Sequence, residues 1–287
     1  MTQQQLAIIG GSGLYDLPGL TDVRSVSVST PFGSPSGDIV CGEMDGMKML
    51  FLARHGKGHF LSPSEVNYRA NIFALKQLGA THLISISAVG SLREEIVPGE
   101  LVVVRQYIDR TKGRPSTFFG NGIVGHVMFA DPTCTELSNA LLEGARSLGY
   151  TVHDGKVLMV MEGPAFSTRA ESHLHRLMGA DLIGMTSMPE AKLAREAELC
   201  YANLALATDY DCWHEAEEDV TLAAVLAIMK SNVEKARSVV AHVAKSLPHN
   251  ETTCGCSTAL EFAIVTDKSA VPADTRDKMK PIFGRYL

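Results

Sequence analysis

No block of clustered lysine and arginine occurs in this chain of 287 residues, whose formal net charge is -6. An extended nucleic-acid footprint needs clustered cations to displace counterions, so that class of partner is excluded, although small anions can still bind locally. No apolar stretch is long enough to span a bilayer. Met1-Thr-Gln-Gln-Gln leads straight into Leu6-Ala-Ile-Ile, with neither the basic start nor the long apolar core of a signal peptide. A cytoplasmic enzyme with no membrane partner is therefore the expectation. Internal repeats and low-complexity tracts are also missing, and with 45% hydrophobic and 20% charged residues the composition is that of a chain that folds on its own. Six cysteines in so long a chain do not make a small secreted disulfide scaffold, and none has structural zinc spacing nearby, so no metal is expected and most should be buried thiols. Cys254-Gly-Cys256 is different. Two thiols one residue apart can oxidise to a strained, reducible pair, or can simply stand in a loop.

What is present is a series of apolar, β-branched runs at 6–9, 47–53, 82–88, 101–108, 156–161, 182–185 and 201–207. Several are continuously apolar rather than alternating, as expected when helices cover both faces of a sheet. Helical patterns lie between them at 64–78, 135–148 and 168–179, the last opening with Thr168 and Glu171 at capping-box spacing. Ser187-Met-Pro-Glu190 has the same spacing and opens a helix to about residue 199. Residues 221–247 carry apolar side chains at three-and-four spacing, the pattern of an amphipathic helix. The alternation of strands and helices predicts an α/β layered fold around one large core. A first unit spans 1–247, followed by a polar tail, 248–287, that is a loop, an arm clasping a partner, a partly disordered segment or a lid closing over the site.

Open α/β sheets bind ligands beyond the carboxyl ends of their strands, and each apolar run here stops at small, polar or charged residues. Ile9-Gly10-Gly11-Ser12-Gly13 offers bare backbone N–H groups and a hydroxyl to an anion, or is only a tight turn. Asp16 stands where a dinucleotide fingerprint needs its third glycine, so that reading fails. Arg54, at the tip of its strand, is the first choice of anion clamp, the alternative being a solvated charge. Ser87, Ala88 and Ser91 form a third small-residue ending. Phe166 with Glu162 and Thr168 suggests a stacking surface for a flat ligand. Met185 with Thr186 and Ser187 offers a thioether and hydroxyls at a helix start, the alternative for Met185 being core packing. Asp209 and Asp211 pair two carboxylates at a strand end, which suits proton transfer in a desolvated pocket, or is an exposed acidic turn.

Taken in order, Ile9-Gly-Gly-Ser-Gly, Thr30-Pro-Phe-Gly, Ala53-Arg-His-Gly, Val66-Asn-Tyr-Arg-Ala-Asn, Gly90-Ser-Leu-Arg-Glu-Glu, Ile108-Asp-Arg-Thr, Glu162-Gly-Pro-Ala-Phe-Ser, Arg169-Ala-Glu-Ser and Ala207-Thr-Asp-Tyr-Asp-Cys-Trp resemble the 5'-methylthioadenosine phosphorylase branch of the trimeric purine nucleoside phosphorylase family. The resemblance covers nearly everything before Pro248. It implies a single-domain layered fold with a central mixed, twisted β-sheet flanked by helices, and reversible phosphorolysis of 5'-methylthioadenosine with inorganic phosphate as co-substrate and no cofactor. It assigns phosphate to Ser12, Arg54, His55, Ser87, the Ala88 backbone and Thr186. The ribose lies against Met185, the base on Phe166, and Asp209 with Asp211 faces the purine N7 and 6-amino edge. Ser167 and Leu222 match the 5'-specificity positions, the apolar Leu222 suiting a methylthio group. His126 matches a residue lent to a neighbouring subunit, which implies a homotrimer, with a hexamer as the alternative. The rival readings are a broad purine nucleoside phosphorylase, a hydrolytic nucleosidase and a nucleotide-binding or regulatory module without catalysis.

Overall fold

The computed structural model of the chain describes residues 4–11, 13–14, 17–214, 222–247 and 253–287, with 222–227 described by their backbone alone. Nine strands form one mixed sheet. They are β1 (Gln5–Gly10), β2 (Thr21–Val26), β3 (Ile39–Met44), β4 (Met47–Ala53), β5 (His82–Ser91), β6 (Leu101–Asp109), β7 (Val152–Val160), β8 (Leu182–Gly184) and β9 (Cys200–Asp209). All seven strands expected from apolar runs are among them. The two others, β2 and β3, lie at the exposed edge; β2 reads Thr-Asp-Val-Arg-Ser-Val and is largely solvent-facing, so it carries no continuous apolar signal.

The central β5 pairs in parallel with β1 on one side and β9 on the other. Its last two residues turn to pair antiparallel with β8, as Gly90↔Ile183 and Ser91↔Leu182. From β8 the pairing continues through β7 and β6 to β9, which returns to β5, so five strands close a ring while β4, β3 and β2 extend from β1 on the open side. Within a strand, residues point alternately to either face. In β1, Ala7 and Ile9 join one buried cluster while Leu6 and Ile8 join the other; in β9, Ala205 and Ala207 oppose Leu204 and Leu206 in the same way.

Helices complete both layers: α1 (Tyr68–Gln77), α2 (Thr135–Ser147), α3 (Arg169–Leu177), α4 (Ser187–Glu196), α5 (Leu222–Ser246), α6 (Ala273–Lys278) and α7 (Lys280–Phe283). One face is covered by α1, α4 and the tail, the other by α2 and α5. No helix among the described residues is long and apolar enough to cross a membrane. The first helix starts at Tyr68 rather than 64, because Asn67 is its cap, accepting from Ala70 N at 3.2 Å while its amide holds the carbonyl of Phe32. The capping box of α3 forms as expected, Thr168 accepting from Glu171 N at 3.2 Å and Glu171 accepting from Thr168 N at 2.8 Å. That of α4 does not: Glu190 turns inward to an arginine, Ser187 accepts from Asn203, and Thr186 is the cap residue. Beyond 252 the tail is folded into the molecule. Leu260, Ile282 and Phe283 are buried in the same cluster as α1 and α4, with Phe119 and Phe283 stacked at 4.9 Å.

Candidate active site

Strand register grades the site by depth. β1 and β4 end together at Gly10↔Ala53, and Arg54 N donates to the Gly10 carbonyl at 2.9 Å. Ile9 is level with Ser85, so these two strands stop beside Ile86 and Ser87 of β5. The acid end lies further along, where Gly90 pairs with Asp209 across a bulge in β9. Continuing the antiparallel register of β8 puts Met185 level with Ala88 and Thr186 level with Ser87, and Gly184 does touch Val89. A donor-rich level (Ser87, Thr186), a thioether level (Ala88, Met185) and a carboxylate level (Gly90, Asp209) therefore follow one another over roughly 10 Å, at about 3.3 Å per strand residue.

At the first level Arg54 is buried, with 2% of its surface exposed. Its guanidinium donates to Glu190 through Nε at 2.9 Å and Nη2 at 3.3 Å, to the Ile86 carbonyl through Nη1 at 2.9 Å, and through Nη2 to Ser85 Oγ at 2.8 Å and the Ile9 carbonyl at 3.3 Å. Burial alone would favour losing the charge, but the Glu190 carboxylate outweighs it and Arg54 stays a cation. The solvated strand-end arginine is thus excluded. Of the five guanidinium hydrogens, these bonds leave one on Nη1, so Arg54 fixes the end of β1 against the middle of β5 and has a single donor left for an anion.

His55 follows, bonded through Nδ1 to the Leu61 carbonyl at 2.8 Å and stacked on His59 at 4.3 Å. Burial first, and the Arg54 charge second, lower its pKa to about 4, so the ring is neutral near pH 7. With Nδ1 donating to the carbonyl, Nε2 is an acceptor, which suits the hydroxyl of a protonated phosphate. Ser87 Oγ sits in a buried amide network in which Asn203 Nδ2 donates to Ser85, Ser87 and Ser187 at 3.1, 3.3 and 3.1 Å. Ala88 is exposed on the cleft side, and the hydroxyl of Thr186 makes no cap bond. Ser12 lies outside the described residues.

At the far level Asp209 accepts from Thr208 Oγ1 at 2.6 Å and from Asp211 N at 2.8 Å. Burial raises its pKa despite these two bonds, and the neighbouring Asp211 adds to the rise. The Thr208 hydroxyl also reaches the Val89 carbonyl at 3.2 Å. Asp211 stands at φ +52°, and its pKa is raised by burial too. Asp211 Oδ2 is buried and meets no partner of full hydrogen-bond geometry among the described residues, while the hydroxyls of Ser172 and Ser167 stand close enough to the carboxyl to oppose the rise in its pKa. Gly90 makes room for the pair: a Cβ there would lie 2.8 Å from Asp209 Oδ1 and 3.4 Å from Asp211 Cβ. The paired acids are therefore packed into the strand ends, and the exposed acidic turn is excluded.

The middle level is shaped by Arg114, which the sequence did not single out. Its Nη1 donates to the carbonyls of Met185 and Met188 at 2.7 and 2.9 Å, and its Nη2 to that of Glu162 at 2.6 Å. This locks the Glu162 loop against β8. Gly163, at φ +68°, touches Met185, since a Cβ there would lie 2.5 Å from the sulfur. Phe166 projects from that loop with 53% of its surface exposed, available for stacking. Ser167 lies next to the acid pair: its carbonyl accepts from Cys212 Sγ at 3.2 Å and its hydroxyl is beside the Asp211 carboxylate. Leu222 opens α5, but its side chain is outside the description. His126 is apart from this group, exposed on a stretch whose backbone N donates to the Ala263 carbonyl of the tail at 2.8 Å. Buried cations, a neutral histidine, serine and threonine hydroxyls and carboxyls of raised pKa thus gather at neighbouring strand ends in an order that fits an anion, an apolar ring and a hydrogen-bonding heterocycle.

The sequence model of a family described as the phosphorylase superfamily matches residues 5–245. The chain belongs to the phosphorylase superfamily. Among relatives, an S-methyl-5'-thioadenosine phosphorylase of Geobacter sulfurreducens is 56% identical over 286 residues, covering 99% of this chain and all of the relative. One from Koribacter versatilis is 52% identical, covering 99% and 97% of the two chains. The crystal structure of a methylthioadenosine phosphorylase from an antarctic soil metagenomic library superposes on this phosphorylase fold with a TM-score of 0.91 at 47% identity, covering 98% of this chain and 99% of that one. A Schistosoma mansoni methylthioadenosine phosphorylase in complex with adenine gives 0.80 at 40% identity, over 84% and 91%.

Proposed function

We propose that this phosphorylase catalyses the reversible phosphorolysis of 5'-methylthioadenosine to adenine and 5-methylthioribose 1-phosphate. The observation that carries the reading is Asp209, a desolvated carboxyl at the end of β9, about three strand residues beyond the donor-rich ends of β1 and β5. Phosphate enters against the Ser12 turn, the last Nη1 hydrogen of Arg54, His55, Ser87, the Ala88 N–H and Thr186. It attacks the anomeric carbon as the bond to N9 of adenine breaks, and its charge offsets the cation developing on the sugar. Met185 faces the ribose and Phe166 stacks on the base. Protonated Asp209 gives its proton to N7, so that adenine leaves neutral. General acid catalysis of this kind contributes about a hundred- to ten-thousand-fold. Thr208 supports both states of the acid: its hydroxyl donates to the carboxylate after transfer and to the Val89 carbonyl before it, accepting from Asp209 instead. The 6-amino group donates to Asp211 Oδ2, and the Ser167 segment borders the base. Leu222 packs on the methylthio group. The reaction needs phosphate as co-substrate and no cofactor. A free 5'-hydroxyl and a 6-oxopurine both fit these contacts less well, which disfavours a broad purine nucleoside phosphorylase.

The assembly belongs to the same proposal. His126 is flanked by exposed apolar side chains, Met128 at 88% and Phe262 at 92%, with Val265 nearby through its bond to the Val124 carbonyl. A patch of this kind marks a contact surface. A homotrimer in the cytoplasm, each chain lending His126 to its neighbour's cleft, is the arrangement we expect. The specificity test is kcat/KM for methylthioadenosine, adenosine and inosine at saturating phosphate. The expected order is methylthioadenosine, adenosine, inosine; inosine first would overturn the assignment of Asp209 and Asp211.

A further inference from the structure

Four of the six cysteines meet at the end of the molecule opposite the cleft. Cys200 opens β9, nine residues and roughly 30 Å before Asp209 at about 3.3 Å per residue. Cys134 is the cap residue of α2, its N donating to the Tyr201 carbonyl at 2.7 Å. Cys254 and Cys256 bracket Gly255 at the start of the tail. The four sulfur atoms all lie within 4.8 Å of one another, with Cys200 and Cys254 at 3.3 Å. Cys134, Cys200 and Cys256 are buried, and Cys254 is half-buried. No local motif announces this set, because its members come from three places in the chain; hence the sequence showed no zinc spacing.

We infer that these four thiols form a structural tetrathiolate site for a zinc ion. Zinc takes four cysteine sulfurs in a tetrahedron with Zn–S near 2.3 Å, which sets the sulfur–sulfur edges at about 3.8 Å. The observed separations bracket that value, so small side-chain rotations suffice. The donor set also suits the ion: four sulfurs and no oxygen ligand select a soft, tetrahedral metal over magnesium or calcium. On binding, four S–H protons pass to solvent and four Zn–S bonds form, with no change of oxidation state, leaving a net charge of two minus. The surroundings answer that charge. Cys134 stands at the positive end of the 13-residue α2, where the helix dipole favours a thiolate. Lys76 sits within electrostatic reach of Cys200. Glu136 is the opposing charge nearby, and Thr253 holds it by a hydrogen bond. The site pins the returning tail to α2 and β9. From that anchor the tail runs through Leu260, whose N donates to Glu198 at 3.0 Å, to Ala263 and Ile264, which hold the His126 stretch.

The test is the zinc content of the full-length protein, purified under reducing conditions from zinc-supplemented cells and dialysed against a chelator. About one zinc per chain is expected, unchanged in Cys41→Ser and lost in the double variant Cys254→Ser/Cys256→Ser. Cobalt exchanged into the site should give the intense visible bands of a tetrahedral tetrathiolate, and release of zinc with a mercurial should lower the Tm. Substoichiometric zinc, with no tetrathiolate spectrum and all six thiols reacting with a thiol reagent after denaturation, overturns the proposal. So does a native mass lower by two hydrogens for each disulfide formed among the four. If the double variant does not fold, the wild-type zinc content and cobalt spectrum decide alone.

Discussion

Asp209 has two bonds that stabilise its ionised form and a burial that opposes them, and the burial wins. An acid raised in this way is protonated over a wider pH range, so the activity it supports is lost as pH rises through its pKa. We expect kcat/KM for methylthioadenosine to show an alkaline limb that disappears in Asp209→Asn. That variant should lose about a hundred- to ten-thousand-fold on adenine nucleosides while its relative preference moves toward inosine. Unchanged selectivity in steady-state assays would count against the acid role. Gly90→Ala should act on the same carboxyl by crowding: its Cβ has Asp209 Oδ1 and Ile183 within 3 Å, and overpacking of this kind costs about 1–3 kcal/mol. A lower Tm together with a weaker alkaline limb is the expected pair of results. His55 gives the opposite pH signature. The unfolded histidine takes up a proton near pH 6.5 and the folded one only near pH 4, so stability falls as pH drops from 6.5 to about 4. Thermal melts of His55→Gln should show a flatter dependence across that window.

Elements matter here through where they stop. β1 and β4 end beside the middle of β5, where Arg54 bonds to Ile9 of β1 and Ile86 of β5 and ties them to Glu190 of α4 as one buried ion pair. Removing one member leaves a buried charge alone, at a cost of about 3–5 kcal/mol. Glu190→Gln should therefore lower the Tm and raise the KM for phosphate, with less effect on the KM for nucleoside; an equal effect on both substrates would mean that Arg54 does not organise the anion end. This pair also shows the limit of reading spacing alone. Glu190 follows Ser187 at capping-box distance, yet it pairs with the buried Arg54 instead, and nothing local in the sequence announces that. Strands buried on both faces were legible as continuous apolar runs, whereas β2, which is exposed, and β3, which is half-exposed, were not. Asp209, His55 and Ser87 were legible because they terminate such runs. Arg114 and Asn203 were not, being a loop residue and a polar residue inside an apolar strand whose roles arise only from tertiary contacts.

At the scale of the whole molecule, the five-strand ring brings β5, β8 and β9 together at one end and the cysteines of β9, α2 and the tail together at the other. The tail connects the two functions, since it holds the His126 stretch beside the exposed Met128 and Phe262. Light scattering should give three chains per particle, and Phe262→Glu should shift the population to smaller species with reduced turnover. A monomeric wild type with full activity would remove the role given to His126. The central claim is that phosphate, not water, takes the sugar from adenine. Its most direct test is the product formed from methylthioadenosine with and without inorganic phosphate, followed by phosphorus NMR. Adenine should be released only with phosphate, with one sugar 1-phosphate for each adenine; adenine released at the same rate without phosphate, together with free methylthioribose, would mean that water is the acceptor and the phosphorolytic mechanism is wrong.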